Sequence, residues 1–90
     1  TVPKDFSLKQ NYPNPFNPTT NINFSIPSAG DVQLVVYDIT GKAAAELVNE
    51  ELTAGTYNVD FNASALSSGV YFYKLVTRDF TQTKKMILTK

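Results

Sequence analysis

The 90-residue chain contains no cysteine, no histidine and no tryptophan. Without cysteine there is no thiolate nucleophile, no redox pair, no disulfide staple and no thiolate-bound zinc. The compartment stays open, because an exported domain can fold without disulfides. Without histidine, Ser64, Ser67 and Ser68 have no imidazole base, which excludes a hydrolytic triad. Net charge is also missing: 8 Lys and Arg balance 8 Asp and Glu. That leaves no electrostatic footprint for nucleic acid or an anionic membrane. No apolar run approaches the ~18 residues of a membrane helix. The start, Thr1-Val2-Pro3-Lys4, leads into no apolar signal-peptide segment and has no Met. The expectation is a piece of something larger; if it is exported, its address lies upstream or elsewhere. Asp31, Asp38, Asp60 and Asp79 lack calcium-loop spacing and read as solvated turn residues. Asn62-Ala63-Ser64 matches a glycosylation sequon, a pattern short enough to arise by chance. No phosphate loop is present. No catalytic residue, metal site or cofactor is therefore expected.

What is there is apolar material in a two-residue rhythm. At 42% hydrophobic and 18% charged the chain has the profile of a folded domain, and its length suits one domain spanning 1–90. Ile22, Phe24 and Ile26 alternate with Asn21, Asn23 and Ser25, the mark of a half-buried strand. Val32, Leu34 and Val36 alternate with Gln33, Val35 and Tyr37; two apolar faces suggest a central strand. Tyr57, Val59 and Phe61 form a third run. Tyr71, Tyr73 and Leu75 form a fourth, with Lys74 weakening its other face. Phe80, Met86 and Leu88 share a parity in the last segment. Glycine and small polar residues separate the runs at Ser28-Ala29-Gly30-Asp31, Thr40-Gly41-Lys42, Thr53-Ala54-Gly55 and Ser67-Ser68-Gly69, while Arg78-Asp79 suits a final hairpin. Ala43 to Leu52 has helical propensity, but it follows a tight glycine turn directly after a strand and is read as a strand. Short strands at this spacing predict an all-β fold, an immunoglobulin-like antiparallel β-sandwich of about seven strands. The expected core is Ile22, Phe24, Leu34, Val36, Tyr57, Val59, Tyr71, Tyr73, Met86 and Leu88.

Three segments stand out. In Asn11-Tyr12-Pro13-Asn14-Pro15-Phe16-Asn17-Pro18-Thr19-Thr20 the prolines delete backbone donors and push their predecessors toward extended conformations. The result reads as a stiff, non-pairing connector anchored by Tyr12 and Phe16, or as a preformed docking epitope. Leu66-Ser67-Ser68-Gly69-Val70-Tyr71 places a permissive glycine before a strand, and Tyr71 can return its hydroxyl to upstream backbone as in a tyrosine corner. It echoes Ala54-Gly55-Thr56-Tyr57. Thr83-Lys84-Lys85-Met86-Ile87-Leu88-Thr89-Lys90 reads as an edge strand guarded by lysines.

Together these segments resemble the type A C-terminal sorting domain of the type IX secretion system, found on exported proteins of Bacteroidetes. Asn11 to Pro18 matches that family's N-terminal signature; Val36-Tyr37-Asp38 with Gly41-Lys42 matches its central strand and turn. Leu66, Ser68-Gly69-Val70-Tyr71-Phe72-Tyr73 and Thr83-Lys84-Lys85-Met86 match its C-terminal signatures. Phe61-Asn62-Ala63 and Arg78-Asp79-Phe80 depart from it, lacking the family's usual Trp and Gly. The resemblance implies an immunoglobulin-like domain fused behind a cargo. The cargo passes through the periplasm, the domain is read by outer-membrane machinery, and a sortase-like protease removes it. Cargo then stays on the outer-membrane surface or is released. On this resemblance the sorting-signal residues are Pro13, Asn14, Pro15, Phe16, Gly69, Val70, Tyr71, Lys84, Lys85 and Lys90. The rival expectation is a non-catalytic immunoglobulin-like spacer, or an adhesion or carbohydrate-binding module of a surface enzyme. In neither case is nucleic-acid binding or membrane insertion expected.

Overall fold

The computed structural model describes residues 3–89, and among them every regular element is a strand. The strands are β1 (Ser7–Leu8), β2 (Thr19–Ile26), β3 (Gly30–Tyr37), β4 (Ala43–Leu52), β5 (Gly55–Asn62), β6 (Gly69–Val76) and β7 (Thr81–Leu88). They form two antiparallel sheets, β1-β2-β5 and β4-β3-β6-β7. The expected all-β sandwich of seven strands is the observed one.

The alternation sets which face each strand buries. In β2 the buried residues are Thr20, Ile22, Phe24 and Ile26, while their neighbours face outward. Leu34 and Val36 of β3 and Tyr73 and Leu75 of β6 meet them from the other sheet, all fully buried. Each such aliphatic contributes about 1.5–3 kcal/mol over its exposed state. Met86 and Leu88 complete this layer from β7. Tyr57 and Val59 have the expected parity and pack on the core, but stay half-buried because β5 is an edge strand. Phe24 stacks on Tyr57, with ring centroids 5.4 Å apart, and Phe6 stacks on Phe80 at 5.2 Å.

The helical look of Ala43–Leu52 has a structural cause. The β3–β4 register breaks between Leu34 and Val35 and between Val36 and Tyr37, so that Leu47 and Ala44 are each an extra residue. A bulge sets two residues against one and turns consecutive side chains to one side. Ala44 with Ala45, and Leu47 with Val48, therefore all pack on the core. In sequence these doublets mimic a helix period.

Turn chemistry is local. Gly41 has φ +90°, and its N–H donates to the Asp38 carbonyl at 3.0 Å. The Asp38 carboxylate accepts from the Thr40 hydroxyl at 2.5 Å and from the N–H groups of Thr40 and Lys42 at 2.9 and 3.1 Å. These donors, Thr40's hydroxyl first, hold the Asp38 carboxyl below its ordinary pKa of 3.8. The echo between two Gly-X-Tyr segments is also physical. Tyr71 donates to the Ser67 carbonyl at 2.7 Å and Tyr57 to the Thr53 carbonyl at 2.6 Å, four residues back in both cases. Gly69 precedes the first at φ +155°, as its position suggested.

Candidate functional site

Residues 9–18 run as a strap from the β1 end of one sheet to the last strand of the other. Its prolines supply no backbone donor, and the N–H groups of Lys9, Asn11, Tyr12 and Phe16 are hydrogen-bonded. Tyr12 exchanges two backbone bonds of 3.0 Å with Asn21 of β2. Phe16 N–H donates to the Ile87 carbonyl at 3.0 Å, and Thr89 N–H to the Phe16 carbonyl at 2.9 Å. This is a parallel bridge between Phe16 and Leu88. The expected non-pairing connector therefore pairs at both ends, because the prolines leave the donors of Tyr12 and Phe16 intact. The expected anchors also split. Phe16 is buried and lies 6.2 Å from Phe61, ring to ring, whereas Tyr12 is 82% exposed, since its backbone and not its ring makes the contact.

A buried polar cluster holds the strap from within. The Tyr73 hydroxyl donates to the Lys9 carbonyl at 2.7 Å and accepts from Asn11 N–H at 2.8 Å. Asn11 Nδ2 donates to Thr20 Oγ1 at 3.0 Å and to the Pro13 carbonyl at 3.2 Å, and Thr20 Oγ1 donates to the same carbonyl at 2.9 Å. Gln10 Nε2 donates to Asn11 Oδ1 and to the Lys85 carbonyl, both at 2.7 Å. Burial pushes the Tyr73 hydroxyl up to about 12, against the opposing bond from Asn11 N–H. Among the described residues no buried side-chain polar atom lacks a partner.

The expected site residues fall mostly into one neighbourhood. Asn14 Oδ1 accepts the Ile87 N–H at 2.9 Å, and Pro13 and Pro15 flank it on the exposed outside of the strap. Gly69 pairs with Leu88, which bridges to Phe16, so Gly69, Leu88 and Phe16 lie side by side. Val70 faces Ile87 across the strands and Tyr71 faces Met86. The two lysines do not act as one patch. Lys85 is exposed opposite Phe72, while Lys84 is half-buried opposite Tyr73, on the other face of the strand. Lys90 lies outside the described residues. β7 is an edge strand, as its lysines suggested, but its free edge is covered from Lys85 to Thr89 by Gln10, Asn14 and Phe16.

Asn11 and Thr20 lie within the proline-rich segment but are not among its expected anchors or signal residues, and Gln10 lies outside it. One signal was available: Thr20 shares the inward parity of Ile22 and Phe24, and a polar residue at a core position demands a partner. A hollow of about 740 Å³ lies at the opposite end of the sandwich between Ile26, Gly30, Glu51 and Arg78. No cluster of metal-ligating side chains occurs among the described residues.

The specific polar chemistry of this sandwich fastens backbone segments together, joining the strap to β2, β6 and β7. The chain matches the family of the secretion system C-terminal sorting domain over residues 10–89, and it belongs to that family. No curated protein and no solved structure matches it. The domain is the C-terminal sorting signal for type IX secretion, recognised by that machinery, and directs export toward the outer membrane or cell surface. Domains of this kind are typically non-catalytic. The matched span contains the strap from Gln10 onward, Gly69-Val70-Tyr71 and all of β7.

Proposed function

We propose that the element read by the export machinery is the junction of strap and last strand, built from Pro13, Asn14, Pro15, Phe16, Gly69, Val70, Tyr71, Lys84 and Lys85, and that Lys90, outside the described residues, belongs to the same signal. The observation that carries this reading is the side-by-side order of Gly69, Leu88 and Phe16. Three segments distant in sequence meet only when the domain is folded. The 90 residues act as one sorting unit behind an N-terminal cargo. A sortase-like protease removes the unit after the cargo has crossed from the periplasm, leaving cargo at the outer-membrane surface or outside the cell. A spacer or carbohydrate-binding role finds less support. Tyr12 is the one strongly exposed aromatic ring among the described residues, and a lone ring makes no platform for a sugar.

The test fuses the chain to a periplasmic reporter in a host with type IX machinery. The reporter is expected in the medium or on the cell surface. Lys84→Ala/Lys85→Ala is expected to hold it in the periplasm while the purified domain keeps its melting temperature. Normal export of that folded variant removes the lysines from the recognition surface and leaves residues 13–16 to carry it.

A further inference from the structure

β4 and β5, consecutive in the chain, are each the outermost strand of a different sheet. The two edges are guarded unequally. β4 is broken by its bulges and carries Glu46, Glu50 and Glu51, devices that keep an edge from pairing. β5 pairs with β2 from Gly55 to Asn62 without a register shift, has no Pro and no Lys, and carries Asp60 as its one charge. The direction of its free backbone groups follows from β2. Asn21 exchanges both backbone bonds with Tyr12, and the Asn23 carbonyl accepts from Lys9 N–H. These odd-numbered residues spend their groups toward β1 and the strap. Ile22 and Phe24 turn theirs to their β5 partners, Val59 and Tyr57. Ala63 N–H, donating to the Pro18 carbonyl, continues that row. Thr56, Asn58, Asp60 and Asn62 therefore aim their N–H and C=O groups away from β2, and their side chains are exposed. An edge of this kind takes an added strand.

The side chains select the strand that fits. Asn58 accepts from Asn23 through Oδ1, which leaves its Nδ2 without a partner among the described residues. Asp60 accepts from Asn21 through Oδ1, which leaves its Oδ2 likewise. Placed antiparallel about a two-fold axis at Val59, a second β5 sets Asn58 of each copy opposite Asp60 of the other, donor to acceptor. An axis at Asp60 would instead set carboxylate on carboxylate. The axis at Val59 also keeps parity, so Tyr57 and Val59, half-buried because β5 is an edge, face the same inner side in both copies. We propose that β5 docks a second copy of this chain in that register, joining two three-stranded sheets into one. The pairing does not depend on the sorting reading. β5 lies at the edge of its sheet away from β1 and the strap, so the strap junctions of both copies stay uncovered and the pair is bivalent for whatever binds them.

The register makes the test specific. Val59 faces itself at the axis in a non-hydrogen-bonded pair, with Cα atoms about 4.5 Å apart, within the reach of a disulfide. The chain has no cysteine, so Val59→Cys supplies a single thiol. Oxidation of that variant at millimolar concentration, in high salt to screen Asp60 and the β4 glutamates, is expected to give a covalent dimer. Thr56→Cys, about 20 Å from its counterpart in this register, is expected to stay largely monomeric. Sedimentation of the unaltered domain is expected to show a mass rising with concentration from one chain toward two. Asn58→Pro deletes an N–H that β2 does not use, and is expected to weaken association by about tenfold or more in a domain that still folds. Asn58→Asp keeps every backbone donor, sets carboxylate against carboxylate, and is expected to weaken it as well. Should Asn58→Pro unfold, Asn58→Asp alone carries the comparison. A domain that stays monomeric to millimolar concentration overturns the proposal and leaves β5 to a strand of another protein. Dimers that persist in the folded variants, or that crosslink as readily through position 56 as through 59, put the interface elsewhere and overturn it too.

Discussion

Tyr73→Phe is the sharpest test of how the strap is held. The substitution keeps the ring in a fully buried site and removes one oxygen. That oxygen accepts from Asn11 N–H and donates to the Lys9 carbonyl, so two backbone groups lose their partner at once. Leaving a buried polar group unpaired costs about 1–3 kcal/mol, and relaxation of the strap toward water recovers part of it, so a loss of about 2–4 kcal/mol is expected. For a domain of this size that lowers the melting temperature by on the order of 10–20 °C. The hydroxyl titrates at about 12 in the folded state, above the ordinary 10.0. Folding therefore favours the protonated form, and this stability is complete below pH 10 and lost as pH rises through 12. The gap between wild type and Tyr73→Phe should then narrow by about 2–3 kcal/mol across that window. Urea unfolding of both proteins at neutral pH and in steps up to pH 12 gives the numbers. A neutral-pH loss below about 0.5 kcal/mol, the range of an ordinary surface change, refutes the claim that this hydroxyl fastens the strap.

Three further outcomes are expected. Gly69→Ala should cost about 1 kcal/mol or more in thermal unfolding, through backbone strain at φ +155° alone, since an added Cβ meets nothing within 4 Å; export should fall in step with stability. Asp38→Asn should flatten the acid limb of stability. The lowered Asp38 pKa gives stability that is present above 3.8 and lost as pH falls through the folded value, and a melting series from pH 6 to pH 2 that is identical for both proteins rules this out. Asn14→Ala should raise amide exchange at Ile87, whose N–H it frees, with little change at Val32 in the core; equal protection of Ile87 in both proteins contradicts the Asn14 contact.

The strands were legible because each buries one face, so a period of two is written into Ile22-Asn23-Phe24 and Tyr71-Phe72-Tyr73. β4 was harder, since its bulges at Ala44 and Leu47 double the inward residues and erase the alternation. The tyrosine corner at Tyr71 could be read from Ser67 and Gly69 because it closes over four residues. The strap could not. Its contacts join Asn14 to Ile87 and Lys9 to Tyr73, and nothing local to either segment encodes the other. The prolines announced a constrained backbone. Pairing at Tyr12 and Phe16, and exposure of the Tyr12 ring, depend on which atoms β2 and β7 bring alongside.

The span of that closure has a consequence for quality control. Phe16 is made early and Ile87 and Thr89 late, so the two backbone bonds between them wait for nearly the entire domain to exist. A chain cut short before Ile87 offers the strap no edge to grip, and Phe16 keeps no place beside Leu88. Such a copy also lacks the buried Leu88, so intact and damaged copies differ both in the core and at the strap. A partner that binds at the strap thereby distinguishes a complete domain from a truncated one.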